Sequence, residues 1–533
     1  MVRPGKNPVF FIIAIVSALV FIYSAPCRAA TIDAAGAAHL KTVFTNLLTD
    51  KATRITSQGS KLVMDGEVMV EPASGYYAVT LPHLSVVTAD NSRFDIGMLA
   101  VNVIPDDKPD QWKMSLALPT PLTWRDAAGA EKAKIEIGKQ NFAGIWNEKL
   151  QNFTKLKAEY SDVKVNTPDK QFLGAATALT LIYDLNQGSD GRWSGPVDYA
   201  ANGVVFAMAD GTAVSIGKLE AASSIQGYAF DLVNGYSDML TALTSKITPG
   251  VIMPPDQRLA LYNTATEMFG NLFDSMSLKF TAENIVVTHP VPQAPGTKIS
   301  LGDAGLDMGF SGFRQDKVSI QLGLHYDGFA MEPPPPGFST AIADKFNVAV
   351  SVDNIPFKAL VDLGRKGLTP DPANPQATAA LMASVPQIMQ AAGVMINLHD
   401  LSLGNTLYSG VATGVLNCDA QAAKTFTGKA RAEIAGLERL TAALGAQLKD
   451  PQVPDANKQG IQQIAGVVSM MQVFGQQGAN KAGQPVRSYD FELTQQGQIL
   501  LNGADINTLF GGQGSPAAGM PAPAPAPAGQ TTP

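Results

Sequence analysis

A four-residue signature, a polar residue followed by apolar, any and apolar residues, returns along the chain and restricts the fold more than any other feature. It stands at His83-Leu84-Ser85-Val86, Asp162-Val163-Lys164-Val165, Asn202-Gly203-Val204-Val205, Glu283-Asn284-Ile285-Val286, Asp327-Gly328-Phe329-Ala330 and Asp400-Leu401-Ser402-Leu403, with a looser copy at Pro121-Leu122-Thr123-Trp124. The apolar anchors (Leu84, Leu122, Val163, Val204, Ile285, Phe329 and Leu401) lie about 40 residues apart, with two gaps near double that; such a period means stacked supersecondary units that cannot bury their apolar faces singly. Most copies also have an apolar-Gly pair: Ile96-Gly97, Ile137-Gly138, Leu173-Gly174, Ile216-Gly217 and Leu301-Gly302. A glycine at a fixed place in a strand marks a bulge, a bend or a close backbone approach. The stretch Tyr76–Val103 shows the unit in full, a strand, the polar turn Ala89–Ser92 and a second strand.

These units predict a β-rich α+β chain. Repeated antiparallel β-hairpins with a period of about 40 residues form a long curved sheet or groove, with three α-helical hairpins inserted. From Lys61 to Gly227 apolar and polar residues alternate, as in Tyr77, Val79, Leu81 and in Phe94, Ile96, Met98. Each such strand buries one face and wets the other. Before it, Thr31–Asp50 has a helical stripe of Leu40, Val43, Phe44, Leu47 and Leu48 that should dock on the first hairpins.

The expected organisation is a leader at 1–30 and an N-terminal β-repeat region at 31–228. A helical hairpin insertion at 229–277 precedes a second β-repeat region at 278–356. A helical insertion at 357–395, a β hairpin at 396–426 and a helical hairpin at 427–475 follow. Closing strands at 486–510 and a Pro/Ala-rich tail at 511–533 that cannot bury a core complete the chain. Helices are expected at Asp231–Lys246 and Pro255–Ser275, at two places in Phe357–Ala392, and at Ala430–Lys449 and Asn457–Phe474, each with apolar residues at i, i+3 and i+4.

Arg3 and Lys6, the apolar run Val9–Ala25 and Cys27-Arg28-Ala29-Ala30 describe a secretory signal peptide cleaved near Ala30. The alternative is a retained inner-membrane anchor, with membrane association through residues 9–25. Pro26 spoils a lipoprotein reading of Cys27. In each case the remainder is exported, and the expected compartment is the periplasm. Loss of Arg3, Lys6 and Arg28 takes the formal charge from −7 to −10. With no basic stripe, nucleic acid is not an expected partner. Charged residues are 16 per cent and apolar residues 45 per cent of the chain, so it has enough apolar surface to fold rather than stay disordered.

Motifs for chemistry are missing. The five histidines (His39, His83, His289, His325 and His399) form no HExxH, HxH or Cys/His cluster. Gly309-Phe310-Ser311-Gly312-Phe313 is shifted from a GxSxG elbow. No phosphate loop or EF-hand is present, Cys418 suits a small buried hydrophobe, and no metal or cofactor is expected. If the sheet curls into an unfilled groove, its lining suits an acyl chain or another apolar ligand. The candidate lining is Val79, Leu81, Ile96, Met98, Val204 and Ile216; plain core packing explains the same residues.

The succession Pro386-Gln387-Ile388-Met389, INLHDLSLGN and LYSGVATGVLNCDA, with the ending YDFELTQQGQILLNG, resembles YdgA-like proteins and their alphaproteobacterial relatives of unknown function. The hairpin repeats are also similar to AsmA-like envelope proteins. The first likeness implies an exported protein without established catalytic residues. The second implies an elongated grooved sheet associated with phospholipid handling. The leading expectation is a non-enzymatic envelope protein that holds a lipid or other apolar ligand or supports outer-membrane maintenance. The alternatives are a periplasmic scaffold for another protein and, third, a hydrolase without a recognisable motif.

Overall fold

The computed structural model describes residues 32–510 apart from 58, 109, 169–171, 233–234, 236–252, 292–295, 335–339, 369–375 and 481–482. The chain is β-rich, 51% strand and 24% helix. Its 26 strands among the described residues make one long antiparallel sheet that does not close.

Helix α1 (Ala34–Ser57) is followed by β1 (Lys61–Asp65), β2 (Met69–Pro72), β3 (Tyr77–Thr80), β4 (His83–Val87), β5 (Arg93–Gly97), β6 (Ala100–Pro105), β7 (Gln111–Ala117) and β8 (Leu122–Arg125). Long strands come next: β9 (Glu131–Asn147), β10 (Asn152–Asn166), β11 (Phe172–Asp184), the short β12 (Asn186–Gln187), β13 (Trp193–Met208) and β14 (Ala213–Tyr228). After α2 (Pro255–Asn271) stand β15 (Ser275–His289), β16 (Thr297–Ser311), β17 (Val318–Asp327), β18 (Ala330–Glu332) and β19 (Lys345–Ile355). Helices α3 (Phe357–Leu368), α4 (Gln376–Ala383) and α5 (Val385–Ala392) precede β20 (Met395–Gly404), β21 (Ser409–Cys418) and β22 (Phe426–Ala435). The chain ends with α6 (Leu437–Lys449), α7 (Asp455–Phe474), β23 (Gln476–Ala479), β24 (Pro485–Leu493), β25 (Ile499–Leu501), β26 (Ala504–Asp505) and α8 (Ile506–Phe510).

The recurrent signature marks a crease across this sheet. The residue before four of its anchors has a left-handed backbone: Asp162 (φ 53), Gly203 (φ 57), Asn284 (φ 54) and Gly328 (φ 71). Regular pairing is skipped at that row. Between β9 and β10 it passes from Ser161–Lys139 to Val163–Ile137, and between β14 and β15 from Lys218–Glu283 to Ile216–Ile285. Neighbouring strands supply the glycines of the apolar-Gly pairs to meet these residues. A Cβ on Gly138 would lie 2.8 Å from the Asp162 Cβ, and one on Gly217 3.0 Å from the Asn284 Cβ. Gly, Asn and Asp are the residues that adopt this conformation at least cost, about 1–2 kcal/mol being charged to others. The hairpin period is therefore the period of a bend.

At the crease the inward side chains change parity. In β10, Leu156 and Ala158 are buried below the crease, and Val163 and Val165 pack on the same core above it. One apolar surface thus continues around the fold line and divides the sheet into a long lower wing and a shorter upper wing. At the N-terminal end the wings separate: β8 pairs with residues 131–135 of β9, while β7 pairs with residues 143–147. Helix α1 lies between them. Leu40, Val43, Phe44, Leu47 and Leu48 share one core with Leu84, Val86, Phe94 and Ile96 of the upper branch and Val101, Val103, Trp112 and Met114 of the lower. The helix runs past the expected Asp50 to Ser57, because Ala52 and Ile55 also pack on this core.

The other helices stand at the rims. Phe273, Phe313, Val318 and Phe357 form a cluster where α2 and α3 meet the lower strand ends, and the Tyr262 hydroxyl of α2 donates to the Val361 carbonyl of α3 at 3.1 Å. Expected Asp231–Lys246 falls almost wholly outside the described residues. Phe357–Ala392 holds three helices rather than two, since α5 begins afresh with a proline in its first turn and ends at the left-handed Gly393. The helix expected from Ala430 starts at Leu437 instead. Residues 430–435 pair in β22, where their alternation fits a strand, and left-handed Gly436 turns the chain into the helix.

Candidate functional site

Strand register assembles an apolar surface that no single segment contains. One row of paired residues on the lower wing is Ala158, Leu181, Tyr199, Ala221, Phe280, Leu306, Leu324, Val348, Leu401, Ala412, Ala432 and Tyr489. Twelve strands contribute to it, and no member bears a charge. The neighbouring rows are of the same kind: Leu278, Met308, Leu322 and Val350 on one side, Leu219, Ala282 and Ala304 on the other. On the upper wing Val204 pairs with Ile216 and Phe206 with Val214, and Ile216 and Val214 pair onward with Ile285 and Val287. Residues of opposite parity, such as Lys155, Lys157, Glu159, Lys279 and Asp307, place the charges on the outer face.

Among the described residues the ends of this surface are covered and its middle is open. At the N-terminal end α1 buries Leu156 and Ala158 to 3% and 1% exposure. At the C-terminal end Leu437, Leu440 and Leu444 of α6, with Ile461 and Val468 of α7, pack over Leu403, Tyr408 and Ile434, and the Tyr489 hydroxyl donates to the Met471 carbonyl of α7 at 2.6 Å. Between them Tyr199, Phe280 and Leu324 remain 37%, 38% and 47% exposed. Such contiguous apolar exposure on a protein with a polar outer face makes this the candidate binding surface. The tyrosines packed at its covered end and rim, Tyr160 and Tyr183 on the α1 core and Tyr228 in the rim clusters, are largely buried among apolar side chains. Burial pushes Tyr160 and Tyr183 above the ordinary tyrosine range, and Tyr228 up to about 12. The Tyr183 and Tyr199 hydroxyls lie 3.4 Å apart, each giving the other a polar neighbour inside an apolar lining.

The six residues expected from sequence to line a groove do not come together. Val79, Leu81 and Ile96 lie in the filled core beneath α1, at 1%, 6% and 4% exposure, and Met98 is exposed at 63%. Only Val204 and Ile216 lie on the upper inner wing, just beyond the crease. Sequence reasoning missed Tyr199, Leu219, Phe280, Leu322 and Leu324, because they belong together only through register.

Polar side chains also cluster away from the trough. Ser351 Oγ lies 2.8 Å from His399 Nε2 and donates to Asp353 Oδ2 at 2.6 Å. Burial raises the Asp353 carboxyl, but hydrogen bonds from Ser319, Ser351 and Asn397 outweigh it and hold the group below the usual range. With the hydroxyl proton directed to the carboxylate, His399 Nε2 is left to donate to Ser351. A nucleophilic triad needs the opposite order, with the base accepting the hydroxyl proton. The neighbouring hollow of 790 Å³ mixes Arg431, Asp490 and Glu492 with Leu398 and Phe491, and Arg431 is already paired with Asp490 and Glu433. The other histidines each face one partner: Glu148, Asp95, Thr212 and Asp303 for His39, His83, His289 and His325. Among the described residues no three His, Cys, Asp or Glu side chains gather as a metal site. Cys418 is buried, with its thiol raised by burial. No protein-family model, curated protein or solved structure matches the chain, so its likeness to YdgA-like and AsmA-like proteins stands on the sequence motifs alone.

Proposed function

We propose that this chain is an exported envelope protein that holds a lipid by its hydrocarbon part in the trough between the two wings. The observation that supports it is the uncharged twelve-strand row whose middle, among the described residues, stays open to solvent. Each CH₂ group transferred from water to such a surface contributes about 0.8 kcal/mol, so a chain of membrane-lipid length can offset the cost of ordering it. The interior strands already pair on both sides, leaving few backbone groups for a peptide, whereas a hydrocarbon needs none. The export signal at residues 1–30 and the likeness to envelope families point the same way. Among the described residues no helix is long and apolar enough to cross a membrane; residues 9–25 lie outside them.

The test is solvent extraction of the protein purified from the periplasm without harsh detergent, followed by mass spectrometry beside an unrelated periplasmic protein. Stoichiometric lipid above that control is the expected result, and a folded, lipid-free protein overturns the reading. A second reading, a scaffold for another protein, draws on the stripe Val467, Met470 and Val473 of α7, exposed at 51%, 47% and 79%. On that reading, charged substitutions in the stripe would abolish partner binding, and substitutions in the trough would not.

A further inference from the structure

We infer that the trough is closed at both ends and holds one lipid at a time, its hydrocarbon laid across β13, β14, β15, β16, β17 and β19. This rests on the lipid-holding reading and adds where the ligand lies and how much of it fits. Charge complementarity selects the occupant: Tyr199, Ala221, Phe280, Leu306, Leu324 and Val348 form an uncharged row across the open strands. An occupant along this row is itself uncharged over its length. Six strands at the usual spacing span about 24 Å. One leaflet of a bilayer core is about 15 Å deep, so a single chain length fits between the ends and two placed end to end do not. Successive rows along a strand are about 7 Å apart, which lets the chains of one lipid lie side by side.

The ends decide between holding and conducting. A conduit along the sheet needs an unobstructed apolar face from first strand to last. Here α1 fills the N-terminal fork with Leu40 and Phe44, while Leu440 and Leu444 of α6 sit in the core that covers Leu403 and Ile434. Both caps belong to hydrophobic cores, so opening either one exposes buried leucines. The protein then takes up and releases its lipid through the open side of the trough.

The experiment uses the full chain equilibrated with vesicles of phosphatidylethanolamine and phosphatidylglycerol that contain a diazirine-labelled acyl chain. Native mass spectrometry counts the lipids, and peptide mapping after irradiation locates them. One lipid per chain, crosslinked on strands β13–β19 at or beside Tyr199, Phe280 and Leu324, is the expected result. Phe280→Glu should lower the bound fraction at least tenfold, with Met98→Glu as an unaffected control. Several lipids per chain, or crosslinks beneath the caps at Leu156 or Ile434, overturn the closed trough and leave lipid holding intact. Absence of any bound lipid above the control overturns both.

Discussion

The first hairpins and the middle of the sheet have the same strand pattern on the same inner face, yet they meet opposite fates. In β10, Ala158 is 1% exposed; four strands on in the same row, Phe280 is 38% exposed. The difference is a helix. Helix α1 supplies a second layer to the N-terminal fork, and a sheet with one layer on its apolar face becomes an ordinary core. In the middle the described residues supply no such layer above Tyr199, Phe280 and Leu324. Apolar patterning alone therefore says which face points inward, and the covering element decides whether that face is core or exposed surface.

Substitutions at matched positions can break this comparison. Leu40→Ala, at a side chain with 0% exposure, should cost about 2–5 kcal/mol, read as a fall in the urea midpoint. A cost under 1 kcal/mol would mean that α1 is a removable lid rather than core. Glu148 has 0% exposure and accepts from His39 Nε2 and from Trp112 Nε1, both at 2.9 Å. Glu148→Gln should cost about 2 kcal/mol, because a charge-assisted bond tying α1 to the sheet becomes a neutral one. His39→Ala in the same background should then cost less than it does alone.

Gly203→Ala tests the crease. A Cβ there would run into the Thr177 hydroxyl while φ is 57, so a loss of about 1–2 kcal/mol is expected. Gly211→Ala, at a hairpin tip, also places a Cβ close to a neighbour, Pro290, and is therefore no control. Gly129, with open space around it, isolates the conformational part alone. Lys51 on α1 is pulled by burial, and then by nearby Arg54, down to about 8 from an ordinary 10.5. The folded chain releases this proton before the unfolded chain does, so the group weakens the fold below pH 8 and stability recovers between pH 8 and 10.5. Lys51→Met should raise stability by about 1 kcal/mol at pH 7, with the gain shrinking as pH climbs through that window. Thermal melts at pH 7 and pH 10 measure it. The smallest effect on stability is expected at Leu324→Asp, under about 0.5 kcal/mol, and the proposed lipid-holding function adds that lipid binding is lost; a large fall in melting temperature would show that this face is core after all.

Much of the architecture was legible in the chain. Alternation from Lys61 onward gave the strands, the stripe Leu40–Leu48 gave α1, and the recurrence of polar-apolar copies with nearby glycines pointed to repeated bends. The bends themselves were less legible than their period. Which residue takes the left-handed conformation, Asp162 in one copy and Gly203 in the next, depends on the partner strand offering Gly138 or Thr177. The candidate site was read less well. Val79, Leu81 and Ile96 alternate as well as Leu219 and Phe280 do, and periodicity does not record that the upstream helix α1 covers the first three.

Sequence by itself determined the hairpin period, the places where glycine, Asn or Asp permits a crease, and the sign of each strand face, because these depend on backbone sterics and on neighbours one or two residues away. Tertiary structure alone decided that twelve strands align their apolar residues in one uncharged row, and that among the described residues its two ends are capped while its middle is open. Each hairpin sets its own register through its pattern and turn, but the row across the sheet accumulates over many hairpins, and its coverage comes from helices far away in the chain, so no single segment encodes either.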